Sequence, residues 1–185
     1  MHKIVYILIF LLFINFLGCK NSQPSARQPI RHNRQGVDMQ SVEKNRNLNQ
    51  REENYIKQMI AKDSLHTYID SGHGFWFYYV KQNKKDTVFP KEGDKVLLQY
   101  EIRDLSNQLI YTFEEIGQKK YWVDHENYFR GFRAAVKLLK KGEEAVFLFP
   151  SGAAYGYHGD EKKIGTNIPL KVQLKIIEIN KHKTP

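Results

Sequence analysis

Leu139 to Gly156 reads LKKGEEAVFLFPSGAAYG and joins the end of a helix, a strand and a loop. Just upstream, FRAAVKLLKKG places Phe132, Val136 and Leu139 at i, i+4 and i+7. That is the spacing of one buried helical stripe, and Gly142 is a ready C-cap. Glu144 to Pro150 is strand-like, and the proline ends it. Small residues and glycines then signal a loop, but Tyr155, Tyr157 and His158 interrupt it. Loops that only connect strands rarely need rings, so Tyr155 asks for a purpose.

Working outward, four further runs read as strands. FWFYYVK (75–81) is aromatic and β-branched, and VLLQYEI (96–102) puts Val96, Leu98, Tyr100 and Ile102 on one face. Gln108 to Phe113 follows a turn-like Asp104–Asn107, and LKVQLKIIEI (170–179) alternates cleanly. Five strands and one helix predict an α+β domain, a twisted antiparallel sheet wrapped over a single helix. Ahead of it, Asn49 with Glu52 forms a cap-and-N3 pair, and Tyr55, Ile56, Met59 and Ile60 share a stripe. This predicts an N-terminal amphipathic helix over 49–70, stopped by Ser71-Gly72 and packed on the main domain in preference to a partner or second copy.

The first residues, MHKIVYILIFLLFINFLGC, hold Lys3, an apolar run from Ile4 to Leu17, then Gly18 and Cys19. Fourteen helical residues rise only about 21 Å, short of the roughly 30 Å bilayer core, so 1–18 reads as a signal peptide. Cys19 is the one cysteine, which excludes an internal disulfide. Residues 19–48 are polar and read as a disordered tether. The formal charge of +9 invites a nucleic-acid reading, but residues 20–50 alone hold six Lys/Arg against two acids. A nucleic-acid footprint needs a basic face and a recognition motif, and neither is present.

Familiar catalytic constellations are missing. Seven histidines are scattered without ligand spacing, and no phosphate loop or nucleophile elbow occurs. Glu114-Glu115 and Glu143-Glu144 flank turns as solvated pairs. The sequence therefore predicts no metal and no cofactor, and leaves binding, or a reaction that needs only a shaped apolar surface.

The order of motifs from 71 to 182 resembles the FKBP-type peptidyl-prolyl isomerases: SGHGFWFYYV, PKEGDKVLLQY, YFRGF before a helix, LKKGEEAVFLFP, AYG, and NIPL before the last strand. Cys19 behind the apolar run resembles a bacterial lipoprotein cleavage box, with Phe16 where leucine is usual. Together with the N-terminal helix it is similar to the gliding-motility-associated FKBP-like lipoproteins of Bacteroidetes. The resemblance implies an aromatic pocket between helix and sheet. Tyr155, Tyr111 and Phe132 would carry catalysis; Tyr100, Thr112, Tyr121, Tyr128, Phe129 and Ile164 would line the substrate site, with the Phe129 N–H as a donor. It further implies proline-containing exported polypeptides as partners and a lipid on Cys19 holding the protein at a membrane of the periplasm. Lys20-Asn21 lacks the aspartate of inner-membrane retention, which favours the outer membrane. Thr112 stands where the family commonly has aspartate, Phe132 where tryptophan is frequent, and Lys119 where an aromatic is common. Asp160-Glu161-Lys162-Lys163 is charged where many members are apolar. A non-catalytic peptide-binding module and a structural lipoprotein of an envelope machine, docked through the 49–70 helix, remain as alternatives.

Overall fold

Alternation along Val96–Ile102 organises the sheet. In the computed structural model, which describes residues 39–182, β3 (Lys95–Asp104) is the strand on which the others register. Its apolar face, Val96, Leu98, Tyr100 and Ile102, is buried. Along one side it pairs with β7 (Leu170–Asn180) from Lys95↔Asn180 to Asp104↔Leu170. The ladder continues through β6 (Glu144–Phe149) and β2 (Trp76–Lys81) to the two-residue β1 (Ile69–Asp70). The other side of β3 is shared. Its C-terminal part pairs with β4 (Leu109–Tyr111) and its N-terminal part with β5 (Lys119–Trp122). All these pairings are antiparallel.

The sheet thus has seven strands, against about five expected. The additions are β1, too short to show a pattern, and β5, whose KKYW carries two lysines and one buried residue, Tyr121. Strand β4 stops before Thr112, where a strand to Phe113 was expected. The Thr112 hydroxyl accepts from the Glu115 N–H at 3.0 Å and caps the one-turn helix α2 (Phe113–Ile116).

The helix under the sheet, α3 (Arg130–Val136), is also shorter than its stripe suggested. Lys137 is its C-cap; the N–H groups of Lys137, Leu138 and Leu139 each reach back three residues in tighter turns. Gly142 is not the cap. It takes φ +76° in a separate turn, and its N–H donates to the Ile176 carbonyl at 2.8 Å. Phe132, Val136 and Leu139 are all fully buried, so the stripe was read correctly although the helix ends early. Gly131 is needed for close approach. A Cβ there would lie 2.6 Å from the Phe149 ring and 2.7 Å from the Ala153 carbonyl.

The N-terminal helix, α1, runs Met39–Lys62, not 49–70. It takes in the last part of the segment read as tether; the residues read as a signal peptide, Cys19 and the segment read as tether up to residue 38 lie outside the described residues. Asn49 and Glu52 sit inside the helix, so they form no capping box. Tyr55 points to solvent, whereas Ile56 is fully buried with Trp76, Leu105 and Leu148, and Met59, Ile60 and Tyr68 close the margin. Trp76 and Leu148 face each other across β2 and β6, and their neighbours Phe77, Phe147 and Phe149 belong to the α3 core. Strands β2 and β6 are therefore covered on both faces, which explains why their sequences run apolar with little alternation.

Candidate functional site

The cleft is built by elements that meet over α3. Strand β3 supplies Tyr100 and Ile102, β4 supplies Tyr111, α2 supplies Glu115 and Ile116, and β5 supplies Lys119. The loop after β6 adds Tyr155, Asp160, Lys162 and Lys163, and the enclosed open volume is about 500 Å³. A larger hollow of about 780 Å³ lies along α1, but polar side chains such as Asn45, Asn47 and Arg51 wall it and no cluster of rings converges there.

Beneath the cleft the rings are layered. Phe132 lies 4.9 Å from Tyr100 and stacks on Tyr128 at 4.7 Å, while Phe129 is 5.6 Å away. Phe129 in turn meets Tyr155 at 4.9 Å, so Tyr155 and Phe132 belong to one cluster bridged by Phe129. Phe132 is fully buried and underpins the floor; Tyr100, Tyr111 and Tyr155 are the rings that line the cleft.

Of the six residues expected to line the substrate site, Tyr100 alone does; Tyr128 and Phe129 lie in the layer beneath, and Tyr121, Ile164 and Thr112 are engaged elsewhere. Tyr121 is fully buried against Tyr128 at 5.2 Å, and its hydroxyl accepts from the Asp124 N–H at 3.3 Å. Ile164 is a core residue, 3% exposed. Thr112 has its hydroxyl committed to capping α2.

The charged loop holds a residue that the sequence reading passed over. Gly159 has φ +66°, and a Cβ there would sit 2.2 Å from the Ile164 carbonyl, so the chain pinches to a tight turn. Asp160 closes that turn: its N–H donates to the Ile164 carbonyl, and its Oδ1 accepts from the Lys162 and Ile164 N–H groups. Its Oδ2 accepts from the Tyr111 hydroxyl at 2.5 Å. A pocket carboxylate, absent at Thr112, is thus supplied by the loop after β6, 49 residues beyond Tyr111. Lys163 adds a second tie to α2, 2.5 Å from Glu115 Oε1 and 4.8 Å above the Tyr111 ring.

These contacts set the ionisation of the site. Burial, with Asp160 adding to it, pushes the Tyr155 hydroxyl up to about 12. Burial and then the hydrogen bond to Asp160 push Tyr111 up to about 12. Tyr100 is held well above the ordinary phenol range by burial and by Tyr128. All three remain protonated at neutral pH. Among the described residues, the Tyr155 hydroxyl has no hydrogen-bond partner.

Burial works to raise the Asp160 carboxyl, but the Tyr111 hydroxyl and the backbone N–H groups of Ile164, Lys162 and Lys163 outweigh it, and the net shift is down from 3.8. A depressed carboxyl stabilises the fold above its unfolded value and loses that contribution as pH falls through the folded one. Asp160→Asn should therefore cost about 1–2 kcal/mol at neutral pH. The difference from wild type should shrink as pH drops below 3.8, measured as urea midpoints across an acid series.

Residues 86–177 match the family model described as FKBP-type peptidyl-prolyl cis-trans isomerase. A curated relative, the probable FKBP-type peptidyl-prolyl cis-trans isomerase FkpA of Neisseria meningitidis serogroup B, is 29% identical over 127 residues. The match covers 69% of this chain and 44% of that protein, so the chain spans less than half of the relative's length. The crystal structure of FkpA from Escherichia coli superposes with a TM-score of 0.60 at 20% identity, over 77% of this chain and 64% of that one. A peptidyl-prolyl cis-trans isomerase from Pseudomonas syringae pv. tomato gives 0.58 at 15% identity, over 74% and 96%. At those identities the two structures speak to the fold, an antiparallel α+β sheet with an N-terminal helix. The family that these comparisons support, through residues 86–177, is that of the FKBP-type peptidyl-prolyl cis-trans isomerases.

Proposed function

We propose that the protein is a peptidyl-prolyl cis-trans isomerase that assists the folding of exported proteins from a lipid anchor on Cys19, in the periplasm and at the outer membrane. The observation that carries this reading is the unpartnered Tyr155 hydroxyl at the edge of a ring-lined cleft. The resistance to be overcome is amide resonance, a barrier of about 18–20 kcal/mol. At X–Pro bonds both isomers are populated, yet they exchange in roughly 10–100 s.

As the bond twists, resonance is lost and the carbonyl carries less negative charge. An apolar cleft then favours the twisted amide over either planar form, and that difference is the catalysis. A 10⁴-fold gain needs only about 5.5 kcal/mol. Tyr100, Tyr111 and Ile102 supply the walls and Tyr155 a donor for a peptide carbonyl. Phe129 lies at the head of α3, and its N–H makes no hydrogen bond among the described residues. It serves as a second donor.

Cis–trans exchange of a short X–Pro peptide tests this. The wild type should accelerate it, and Tyr155→Phe should lower kcat/KM about tenfold, the worth of one transition-state hydrogen bond of ~1.4 kcal/mol. No acceleration by the wild type rejects catalysis.

A second reading, a peptide-binding module without turnover, is favoured by Phe132, which is buried and smaller than the tryptophan often found there. It requires binding of proline-containing chains without rate enhancement. The resemblance to gliding-motility lipoproteins supports a reading in which either activity serves an envelope machine.

A further inference from the structure

The aromatic cleft has a charged mouth, and its charges do not balance. Five ionisable side chains other than tyrosine line it: Glu115, Lys119, Asp160, Lys162 and Lys163. Both acids are engaged. Glu115 is paired with Lys163, and Asp160 holds the Tyr111 hydroxyl and the Lys162 and Ile164 N–H groups. The ammonium groups of Lys119 and Lys162 have neither an ion pair nor a hydrogen bond among the described residues. Their placement is directed by the fold. On β5 the alternation puts Lys119 on the same face as Tyr121, which is buried against Tyr128 and Phe132, while Lys120 and Trp122 point the other way. Lys119 therefore belongs to the floor side of the sheet. Lys162 reaches the cleft from a different element, the turn that Asp160 closes and that Tyr111 ties down.

From this geometry we infer that Lys119 and Lys162 make the site charge-selective, favouring polypeptides with an acidic residue beside the proline and disfavouring lysine or arginine there. The inference rests on the proline-binding reading above and adds the class of substrate to it. Uncompensated charges at the mouth of a low-dielectric cleft act through complementarity and steering, which set specificity more than raw affinity. Because both ammonium groups are solvated, the preference is moderate and weakens once the Debye length becomes shorter than the cleft.

The test uses four acetylated and amidated peptides that differ only before proline, with Glu, Gln, Leu or Lys. Cis–trans exchange is followed by NMR without a protease, whose own specificity would intrude. At about 20 mM salt, Glu-Pro should be turned over about threefold faster than Gln-Pro and about tenfold faster than Lys-Pro, and the gap should close near 0.5 M. Lys119→Gln with Lys162→Gln should level Glu-Pro with Gln-Pro, and Lys119→Glu with Lys162→Glu should reverse the order of Glu-Pro and Lys-Pro. Equal rates for Glu, Gln and Lys in the wild type, or an order unchanged in the charge-reversed variant, overturn the inference. The same peptides carrying an uncharged fluorophore report affinity. If exchange is not accelerated but the affinities keep the charge order, catalysis fails and the charge inference stands; unordered affinities overturn it.

Discussion

Phe132→Ala is expected to lower stability by about 3–5 kcal/mol, the usual cost of truncating a buried ring to alanine. Phe132 is fully buried, and the rings of Tyr100, Tyr121, Tyr128 and Phe129 all surround it. None of these can slide into the vacated space without leaving its own place in the sheet or in the turn before α3. The cavity therefore persists, and the cleft floor sags with it. Urea unfolding measures the loss, and X–Pro exchange below the variant's melting temperature measures the functional part. Phe132→Leu keeps most of the volume and should cost about 1 kcal/mol. A loss under 1 kcal/mol for the alanine variant would mean the ring is not the keystone of this cluster.

Glu52→Ala should have the second largest effect, about 2–4 kcal/mol, although the residue lies on a helix outside the cleft. Its buried carboxylate accepts from the Ser151 N–H at 2.7 Å and from the Ser151 hydroxyl at 2.8 Å. Removing it strands two donors in a place water does not reach. Ser151 begins the turn that carries Tyr155, and its carbonyl accepts from the Ala154 and Gly156 N–H groups. The damage should therefore spread to that loop. Hydrogen exchange at residues 151–156 should quicken, and X–Pro turnover should fall more than substrate affinity does. Glu52→Gln keeps one acceptor oxygen and should recover about half of the stability. Unaltered exchange in the loop would separate α1 from the site.

How much of this could be read beforehand depended on how far apart the interacting residues stand. Strands β3 and β7 showed their buried faces by alternation, and the order of short motifs carried the fold class. The start of α1 was missed because residues 39–48 have no apolar stripe to announce a helix. Asn49 and Glu52 imitated a local capping box, whereas the true partner of Glu52 is 99 residues away. Asp160 was hidden for the same reason. A charged tetrapeptide looks like a solvated turn until a pinched glycine folds it onto Tyr111, 49 residues back. Tyr121 and Ile164 were assigned to the cleft by position in the chain, but only strand register and burial reveal that they face inward. Tyr100, Tyr111 and Tyr155 meet at the cleft itself, with Phe132 below them.

The seat of α1 has a mechanical corollary. Among the described residues the chain enters through this helix, ahead of every strand, and side chains such as Glu52, Ile56 and Lys57 seat it, while the sheet is held by long ladders. A load applied at residue 39 falls first on Glu52 and Ile56. It unseats the helix, and frees the turn bearing Tyr155, before any strand begins to part.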